Sequence, residues 1–453
     1  MQISLCMVVR DEADYLNLCI ESARPVVDEI VVVDTGSKDD TPKIAERFGA
    51  QVYQSAWPGD FASAYNLFLP LAKGNWILNL DADEMLDPAS RSSIRTLIGD
   101  HRFDGYLLTA HNYSYAPIMK WRGVNPDDPL ARGAMGYRPS QSVRLFRNHP
   151  ENCYRGEIHQ NIRESILARG GRIGTGDIPI HHYGWLREKR ISSKFNQYFN
   201  LSKSKVKSQP RNFRAWIELG LLQLHSGDRP GAMKSFHKAK SLENEPSSTF
   251  FLGHLLIERG RPHKAIGYLK EALQKNPGDN APDFDHADAY EEMGQAYEML
   301  GYPQDAETSY QCALFSRPDS PVASNNLAGL LSMRGSLREA NTILEKLLHR
   351  YPRLDLAWTT LGTNRLRSGD LQGARTAFET ALKINPKNIP SRENLAFAEK
   401  MILAPRIKIT DLPKGVKVSQ PELKKLMAFR EDDLILSKSN PRRSRRFSSW
   451  HGS

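Results

Sequence analysis

The sequence predicts an α/β domain followed by an all-α repeat solenoid. Up to about residue 190, short apolar runs alternate with helical stretches, which is the pattern of a layered α/β fold. Beyond residue 211, pairs of predicted helices recur with a period of about 34 residues, which is typical of a solenoid. The 453 residues are also enough for two or three separate hydrophobic cores.

Composition and charge exclude several other classes of protein. With 40% hydrophobic and 25% charged residues, most of the chain can bury enough apolar surface to fold. Most of the net charge of +10 belongs to Ala404–Ser453, which holds 12 Lys and Arg against 5 Asp and Glu. We therefore expect a basic, disordered tail over 404–453 and no nucleic-acid-binding face on the folded part.

The sequence has no feature that indicates secretion or a membrane span. MQISLCMVVRDE has no basic region followed by an apolar run and a cleavage site, and no apolar stretch approaches ~18 residues. The four cysteines lie far apart without metal-binding spacing, which fits a reducing compartment. We expect a cytoplasmic protein with no transmembrane segment.

In residues 1–190, four apolar runs are predicted to form strands: ISLCMVV, EIVVVD, QVYQS and NWILNLD. Helices are predicted at Ala13–Ser22, Thr41–Phe48 and Phe61–Leu71. The segment His111–Ser140 is rich in Tyr, Trp, Gly and Pro and has little periodicity, so it is predicted to be a functional loop.

Residues 212–388 are predicted to form five helix pairs, after a polar linker at 191–211 and before a capping helix at 389–403. A small residue stands at the same place in each first helix, at Gly220, Gly253, Gly294, Ala328 and Gly362. Its counterparts in the second helices are Ala232, Ala265, Ala306, Ala340 and Ala374. With Trp216 and Trp358 at its aromatic position, this pattern resembles the tetratricopeptide repeat, which implies an extended protein-binding surface.

Two predicted strands end in acidic residues, one at Asp34 and one at the sequence DADE that starts with Asp81. Ligands of open α/β sheets bind at the carboxyl ends of strands. Because residues two apart on a strand point the same way, Asp81 and Asp83 are expected to face one ligand. Paired carboxylates suit Mn²⁺ or Mg²⁺ holding a diphosphate. The alternatives are that Asp83 starts a turn or caps a helix, and that Asp34 only anchors the turn at Gly36.

Four motifs occur in a fixed order in the first part of the chain, namely VVRDE, DTGSKDDT, WPGDFASAYN and DADE. This series resembles the family-2 GT-A glycosyltransferases, whose catalytic domain has a Rossmann-like nucleotide-diphospho-sugar transferase fold. It resembles in particular the branch that contains the sublancin S-glycosyltransferase, in which helical repeats also follow the catalytic domain. The resemblance covers most of residues 1–190 and implies a GT-A fold there.

The resemblance implies donor-binding roles for six residues, which are Val9, Asp34, Asp60, Asn66, Asp81 and Asp83. Asp34 would contact the uracil or the ribose. Asp81 and Asp83 would form the D-x-D pair that binds the ribose and the metal. Trp57 and Phe61 are interpreted as core or pocket wall. His182 lies where relatives place a histidine near the metal and diphosphate, so it is either a metal ligand or a packed residue beside Trp185.

The catalytic base of an inverting transfer is predicted in the segment Gly156–Gln160. Relatives tend to carry G-x-x-H-E there, whereas this chain has Gln160 in place of the glutamate, and an amide cannot accept the proton of the acceptor. Glu157 or His159 could substitute, with Glu84 as the next candidate. The other hypotheses are an acceptor acidic enough to need little help and an impaired or repurposed enzyme.

The leading hypothesis is a metal-dependent glycosyltransferase that moves a hexose from a UDP-sugar type of donor to a protein, peptide or glycan acceptor recruited by the repeats. The segment His111–Ser140 would form part of the acceptor side. Four arginines could reach a diphosphate, and the sequence singles out none of them: Arg132, Arg138, Arg144 and Arg147. The rival hypothesis, which Gln160 favours, is a non-catalytic repeat scaffold with a nucleotide-sugar-binding domain.

Overall fold

The structure is a computed structural model that describes residues 2–115, 119–125, 127–156, 161–274 and 284–403. The chain divides into two compact units. One unit consists of Met1–Leu252 with Gln274–Asp285, and the other of Gly253–Leu273 with His286–Ser453. The sheet belongs to the first unit, and most of the repeat helices belong to the second.

Nine strands in the described part of the first unit form one sheet. They are β1 (Ile3–Val9), β2 (Glu29–Asp34), β3 (Gln51–Gln54), β4 (Trp76–Asn79), β5 (Glu84–Leu86), β6 (Gly105–Ser114), β7 (Arg122–Gly123), β8 (Gly136–Arg147) and β9 (Ile173–His182). Their order is β3-β2-β1-β4-β8-β6-β9-β5, and β7 pairs with β8 outside this series. The strands β1 to β4 run parallel, whereas β8 is antiparallel to both of its neighbours β4 and β6.

Short helices accompany the sheet: α1 (Leu16–Ala23), α2 (Thr41–Arg47), α3 (Phe61–Asn66), α4 (Ile94–Gly99) and α5 (Arg163–Ala168). The predicted helix over Phe61–Leu71 is divided. The ring of Pro70 would clash with the carbonyl of Asn66 in a continuous α-helix, so α3 ends at Asn66 and a 3₁₀ turn occupies Leu69–Leu71.

The parallel strands β1, β2 and β4 are buried on both faces, as their continuous apolar runs predict. Along β2, Val32 lies in one hydrophobic cluster with Leu16 of α1. Its neighbour Val33 points to the opposite face and lies in a second cluster with Tyr65 of α3. The sheet is thus the middle layer of the unit, with core on each side.

The segment His111–Ser140, predicted as one loop, is sheet at its two ends. β6 continues to Ser114 and β8 begins at Gly136, and these two residues are directly paired. Trp121 is buried against Gly136, where an added Cβ would clash with the indole ring. Much of the aromatic content of this segment is therefore explained by packing on the sheet.

The predicted polar linker at 191–211 is largely helical, because α6 extends over Glu188–Ser208. On this helix, Phe199 and Val206 pack with Ala215 of the helix that follows. Tyr198 stacks on Phe61 of α3, with ring centroids 5.3 Å apart. The apolar stripe of α6 is narrow, which is why its average composition is typical of a linker.

Helices α7 to α17 follow α6. Their bounds are α7 (Phe213–His225), α8 (Arg229–Leu242), α9 (Pro246–Glu258), α10 (Pro262–Leu273), α11 (His286–Leu300), α12 (Pro303–Ser316), α13 (Pro321–Met333), α14 (Leu337–Arg350), α15 (Asp355–Arg367), α16 (Leu371–Ile384) and α17 (Ile389–Leu403). Small residues lie where paired helices approach, so a Cβ would clash with the facing ring at Gly220 (Phe236), Gly294 (Tyr310) and Gly362 (Phe378). Within the described ranges, no helix is both long enough and apolar enough to cross a membrane.

Candidate active site

The strands β1, β2 and β3 end together at the carboxyl edge of the sheet. Val9 pairs in register with Asp34, and Asp34 pairs with Gln54. The side chain of Val9 is buried in the core, and its carbonyl accepts a hydrogen bond from the backbone N–H of Thr35. Val9 is therefore a core residue at this edge of the sheet, and its role in donor binding stays a prediction.

Asp34 organises the turn that follows β2. Its Oδ1 accepts hydrogen bonds from Gly36 N at 3.0 Å, Ser37 N at 2.9 Å and Ser37 Oγ at 2.9 Å. Its Oδ2 accepts one from Gln54 Nε2 at 3.2 Å. The turn-anchoring alternative is thus realised. A carboxylate oxygen can accept a further hydrogen bond, and the contact of Asp34 with a nucleoside stays a prediction.

Two residues of the WPGDFASAYN motif make structural contacts. Asp60 is the N-cap of α3, where it accepts from Ser63 N at 2.8 Å and from Ser63 Oγ at 2.6 Å. Asn66 pairs with the backbone of Tyr154, donating from Nδ2 to its carbonyl at 3.0 Å and accepting from its N–H at 2.7 Å. Asn66 therefore holds the chain just before the predicted base segment, and the donor-seating roles of both residues stay predictions.

The DADE motif forms a turn instead of continuing the strand. β4 ends at Asn79, and Glu84 N donates to Asp81 O at 3.0 Å. Strand alternation, from which a common face was predicted, does not apply to a turn. Asp81 accepts a hydrogen bond from the hydroxyl of Tyr65, whereas Asp83 faces His182. The two aspartates thus contact different groups on either side of the turn.

Arg144 of β8 supplies the positive charge beneath this turn. Its Nη2 lies 2.6 Å from Glu84 Oε1 and 3.5 Å from Asp81 Oδ2. The side chain of Glu84 is 1% exposed, and its Oε2 accepts from Asp81 N at 2.8 Å. Burial raises the pKa of Glu84 to about 7, although Arg144 opposes the rise by favouring the carboxylate. Both carboxylate oxygens of Glu84 already have partners, Asp81 N and Arg144 Nη2. This geometry therefore disfavours Glu84 as the catalytic base.

Asp83 and His182 form a small polar cradle beside Gly184. His182 Nε2 lies 3.5 Å from Asp83 Oδ1. A Cβ added at Gly184 would lie 2.7 Å from His182 Nε2 and 2.9 Å from Asp83 Oδ2, so the absence of a side chain leaves a space that both polar atoms border. Burial lowers the pKa of His182, but Asp83 outweighs it and raises that pKa to about 9. The histidine is therefore electrostatically coupled to the motif.

This cradle fits a divalent cation that arrives with its substrate. One carboxylate and one imidazole are suitable ligands for Mn²⁺. In the part of the chain that the structure describes, no group of three or more His, Cys, Asp and Glu side chains could hold an ion. The other ligands would have to be phosphate and water oxygens, which is the usual arrangement for ions bound through a nucleotide.

The predicted catalytic residues Glu157, His159 and Gln160 lie outside the described residues. The chain on either side of them is held in place. Arg155 and Asn161 form a backbone bridge, with N···O distances of 3.1 Å and 2.8 Å. Tyr154, one residue before the bridge, packs against Tyr65, whose hydroxyl binds Asp81. The ends of the segment therefore lie on the same side of the domain as the DADE turn.

Sequence reasoning missed two charged contacts of the site. Arg144 was one of four arginines left unassigned, although a lone arginine inside the apolar strand sequence SVRLF was an available signal. Glu12 of the VVRDE motif is 6% exposed and lies 2.8 Å from Arg187 Nη1. These two residues are 175 positions apart, so no local pattern could have paired them.

Comparisons with known proteins agree with this architecture. The family model for glycosyl transferase family 2 matches residues 4–157, and tetratricopeptide repeat models match 250–321 and 355–388. The chain is 37% identical over 226 residues to an uncharacterized glycosyltransferase of Rickettsia felis, covering 48% of this chain and 76% of that protein. It is 31% identical over 289 residues to a TPR repeat-containing protein of Synechococcus elongatus, covering 60% of this chain and 66% of that protein.

A third relative is the SPbeta prophage-derived glycosyltransferase SunS of Bacillus subtilis, at 22% identity over 249 residues and 53% of each chain. The fold and the site thus define a GT-A-type glycosyltransferase joined to tetratricopeptide repeats. The chain belongs to glycosyl transferase family 2. These findings support glycosyltransferase activity over the rival hypothesis of a non-catalytic scaffold.

Proposed function

We propose that this protein transfers a hexose-type sugar from a nucleoside diphosphate donor, of the UDP-sugar class, with inversion at the anomeric carbon. The observation that carries the proposal is the cradle of Asp83 and His182 at Gly184. It lies beside the DADE turn, which follows the carboxyl end of β4, and ligands of open α/β sheets bind at the carboxyl ends of strands.

In this proposal Asp83 and His182 hold a divalent cation, which when bound stabilises the negative charge of the departing diphosphate. The remaining residues of the turn orient the donor. Asp81 is fixed by the hydroxyl of Tyr65 and is partly exposed, so its carboxylate is available to the ribose. Arg144 offsets the charges of Asp81 and Glu84, which reduces repulsion between the acidic turn and an anionic donor.

The base that accepts the acceptor's proton is proposed to lie in Gly156–Gln160, with Glu157 tested first and His159 second. The bridge between Arg155 and Asn161 supports this proposal, because it holds the two ends of the segment together, and the preceding Tyr154 packs against Tyr65, whose hydroxyl binds Asp81. Gln160 would then serve as a hydrogen-bonding contact instead of a proton acceptor.

The acceptor is proposed to be a protein, a peptide or a glycan, brought to the catalytic domain by the repeats. Solenoid repeats present extended surfaces for polypeptide partners, and the described segment between β6 and β8 borders the same sheet edge. The substrate itself is not defined by the fold.

The test is the release of sugar from UDP-sugars by the full-length chain, with and without Mn²⁺. We expect slow metal-dependent hydrolysis, which Asp83→Asn nearly abolishes because it removes metal-directed charge while leaving the core intact. Gly184→Ala should have the same effect, since its Cβ fills the cradle. The control is Gly99→Ala, where a Cβ meets no atom within 4 Å. Parent-like hydrolysis by Asp83→Asn in saturating donor and Mn²⁺ would refute the assigned site.

A further inference from the structure

A row of polar residues crosses four strands at the level of the DADE turn. Asn112 of β6 is the direct neighbour of Arg138 on β8 and of His182 on β9, and His182 is the neighbour of Glu84 on β5. Asn112 is 8% exposed, so its amide must find its partners within the protein. It therefore lies between β9, which carries His182, and β8.

The hydrogen bonds of Asn112 fix which way its amide points. Its Nδ2 donates to the backbone carbonyl of Arg138 and to Ser140 Oγ, each at 2.9 Å. A carbonyl oxygen can only accept, so the amide nitrogen must face β8 and the amide oxygen must face His182. The observed distance from His182 Nδ1 to Asn112 Oδ1 is 2.6 Å.

This orientation decides which nitrogen of His182 can bind a cation. Because Asn112 Oδ1 can only accept, His182 Nδ1 must carry the hydrogen. In the neutral imidazole the lone pair then belongs to Nε2, the atom that lies 3.5 Å from Asp83 Oδ1 and borders the space at Gly184.

We propose that Asn112 is a positioning residue for the metal ion, holding His182 as the Nδ1–H tautomer with Nε2 directed at the ion shared with Asp83. The inference rests on the proposed function, because it requires the metal role of His182. Partners of this kind orient a ligating histidine, and their loss typically weakens metal affinity by about tenfold to a hundredfold.

The amide of Asn112 serves two sets of partners, because its nitrogen donates to β8 and its oxygen accepts from His182. Aspartate would accept from His182 Nδ1–H as well, but it would place a carboxylate against the carbonyl of Arg138 and lose both donors to β8. Leucine has a similar shape and would lose the acceptor and the donors together. A role in sheet stability alone would lower the unfolding temperature of both variants and leave metal affinity unchanged.

The experiment is a titration of Mn²⁺ into the full-length chain, with and without saturating UDP, in which free Mn²⁺ is measured by electron paramagnetic resonance. We expect Asn112→Leu to weaken Mn²⁺ binding about tenfold to a hundredfold, and Asn112→Asp to stay within a few-fold of the parent because it keeps the acceptor for His182. The matched control is Asn148→Leu, since Asn148 Nδ2 donates to two carbonyls, of Ala72 and Gly74, away from the cradle. This control should lose stability and keep its Mn²⁺ affinity.

A folded Asn112→Leu variant with the Mn²⁺ affinity of the parent would overturn the inference. If that variant does not fold, Asn112→Asp decides, and a loss of tenfold or more there would overturn it equally. His182→Ala separates this outcome from failure of the proposed function. When His182→Ala loses Mn²⁺ binding and Asn112→Leu does not, only the role of Asn112 is wrong; when His182→Ala binds Mn²⁺ like the parent, the proposed metal site is wrong and the inference falls with it.

Discussion

Glu84 and Arg144 are oppositely charged side chains at the base of the DADE turn, and each depends on the other. The side chain of Glu84 is 1% exposed and that of Arg144 is 14% exposed. A buried charge that loses its partner cannot be solvated, whereas removing both charges together is often neutral. The stability of the turn should therefore respond to the pair and not to either residue alone.

We predict that Arg144→Met lowers the free energy of unfolding by about 3–5 kcal/mol. Adding Glu84→Gln should restore most of it, because the amide is neutral and can still accept from Asp81 N. Urea unfolding of the two single variants and the double variant measures this coupling. The exposed pair of Arg102 and Asp100 is the comparison, and Arg102→Met should cost much less stability than Arg144→Met because water solvates both charges. Equal costs at the two arginines would contradict the prediction.

The base can be identified by three substitutions in Gly156–Gln160. If Glu157 accepts the proton in the transition state, Glu157→Gln should lower kcat by about a hundredfold or more with donor affinity unchanged. If His159→Ala has that effect instead, the imidazole is the base or orients the acceptor.

Gln160→Glu is the third substitution and restores the residue that relatives carry. It should raise the rate if the enzyme lost an ancestral base, and give no gain if the enzyme is adapted to another acceptor. Single-turnover and steady-state rates with a UDP-sugar are the measurement. Parent-like rates in all three variants would show that the base lies elsewhere.

At the residue scale, the sequence located the acidic motifs but not the contacts that orient them. Asp81 and Asp83 follow from the acidic motif at a strand end and from motif order, and His182 from its position in the resemblance to relatives. The bonds of Asn112 and Arg144 depend on the pairing of β8, β6, β9 and β5, whose partners are 26 to 70 positions apart. Only folding brings these side chains together, so periodicity and spacing gave no sign of them.

Among the secondary elements, the first helices of the repeats contain glycines of two kinds. Gly362 of α15 lies under the ring of Phe378, so an added Cβ would clash with it, whereas a Cβ at Gly329 of α13 meets no atom within 4 Å. A helical glycine costs about 0.5–1 kcal/mol relative to alanine when nothing else depends on it. The same substitution should therefore have opposite signs at the two positions.

We predict that Gly362→Ala destabilises the repeats by about 1–3 kcal/mol through overpacking, and that Gly329→Ala stabilises them by about 0.5–1 kcal/mol. Thermal and urea unfolding of the full chain, followed by helical circular dichroism, measure both changes. A stabilising effect of Gly362→Ala would show that α15 and α16 can separate without cost, contrary to the close approach of the pair.

The helix α6 illustrates what element-scale prediction from composition misses. Its 21 residues are mostly polar, and this composition predicts a linker. A helix needs only one narrow apolar face to dock, and Tyr198, Phe199 and Val206 supply it. The repeat helices were easier to predict, because their small and aromatic residues recur with a fixed period that belongs to the sequence itself.

At the scale of the whole molecule, charge is distributed unevenly along the chain. The basic residues of Ala404–Ser453 account for +7 of the net +10, with 12 Lys and Arg against 5 Asp and Glu. This segment has little apolar periodicity, so the sequence predicts that the folded units do not need it. Its positive charge is suited to an anionic partner or surface.

We predict that deleting Pro405–Ser453 leaves sugar transfer and the unfolding temperature almost unchanged. If the truncated chain loses a function, we expect it to be binding to an anionic partner. The difference in binding between the parent and the truncated chain should become smaller as the salt concentration is raised, because salt screens exposed charges. Differential scanning calorimetry and transfer assays on the parent and the truncated chain are the measurement. A cooperative loss of stability would show that the tail packs on the rest of the protein.

The fold class of the whole chain was predictable, and the sheet order was not. Alternation of strands with helices and the repeat period are properties of neighbouring residues, so they appear in the sequence. The rest of the sheet depends on pairings such as Leu78 with Leu145 and Glu84 with His182, whose partners lie far apart in the sequence. Those pairings determine which residues meet at the cradle.

The bridge between Arg155 and Asn161 joins the two residues that flank Gly156–Gln160, so we expect the protein to tolerate exchange of that segment. A segment whose two ends are already joined by backbone hydrogen bonds, with the preceding Tyr154 held by Asn66, can be replaced without redesigning what supports it. If the segment carries the base, as proposed, grafts of the corresponding segment from other members of the family should change which acceptors react while the rest of the domain stays the same. A set of such grafts would then show whether Gln160 is an adaptation to a particular acceptor.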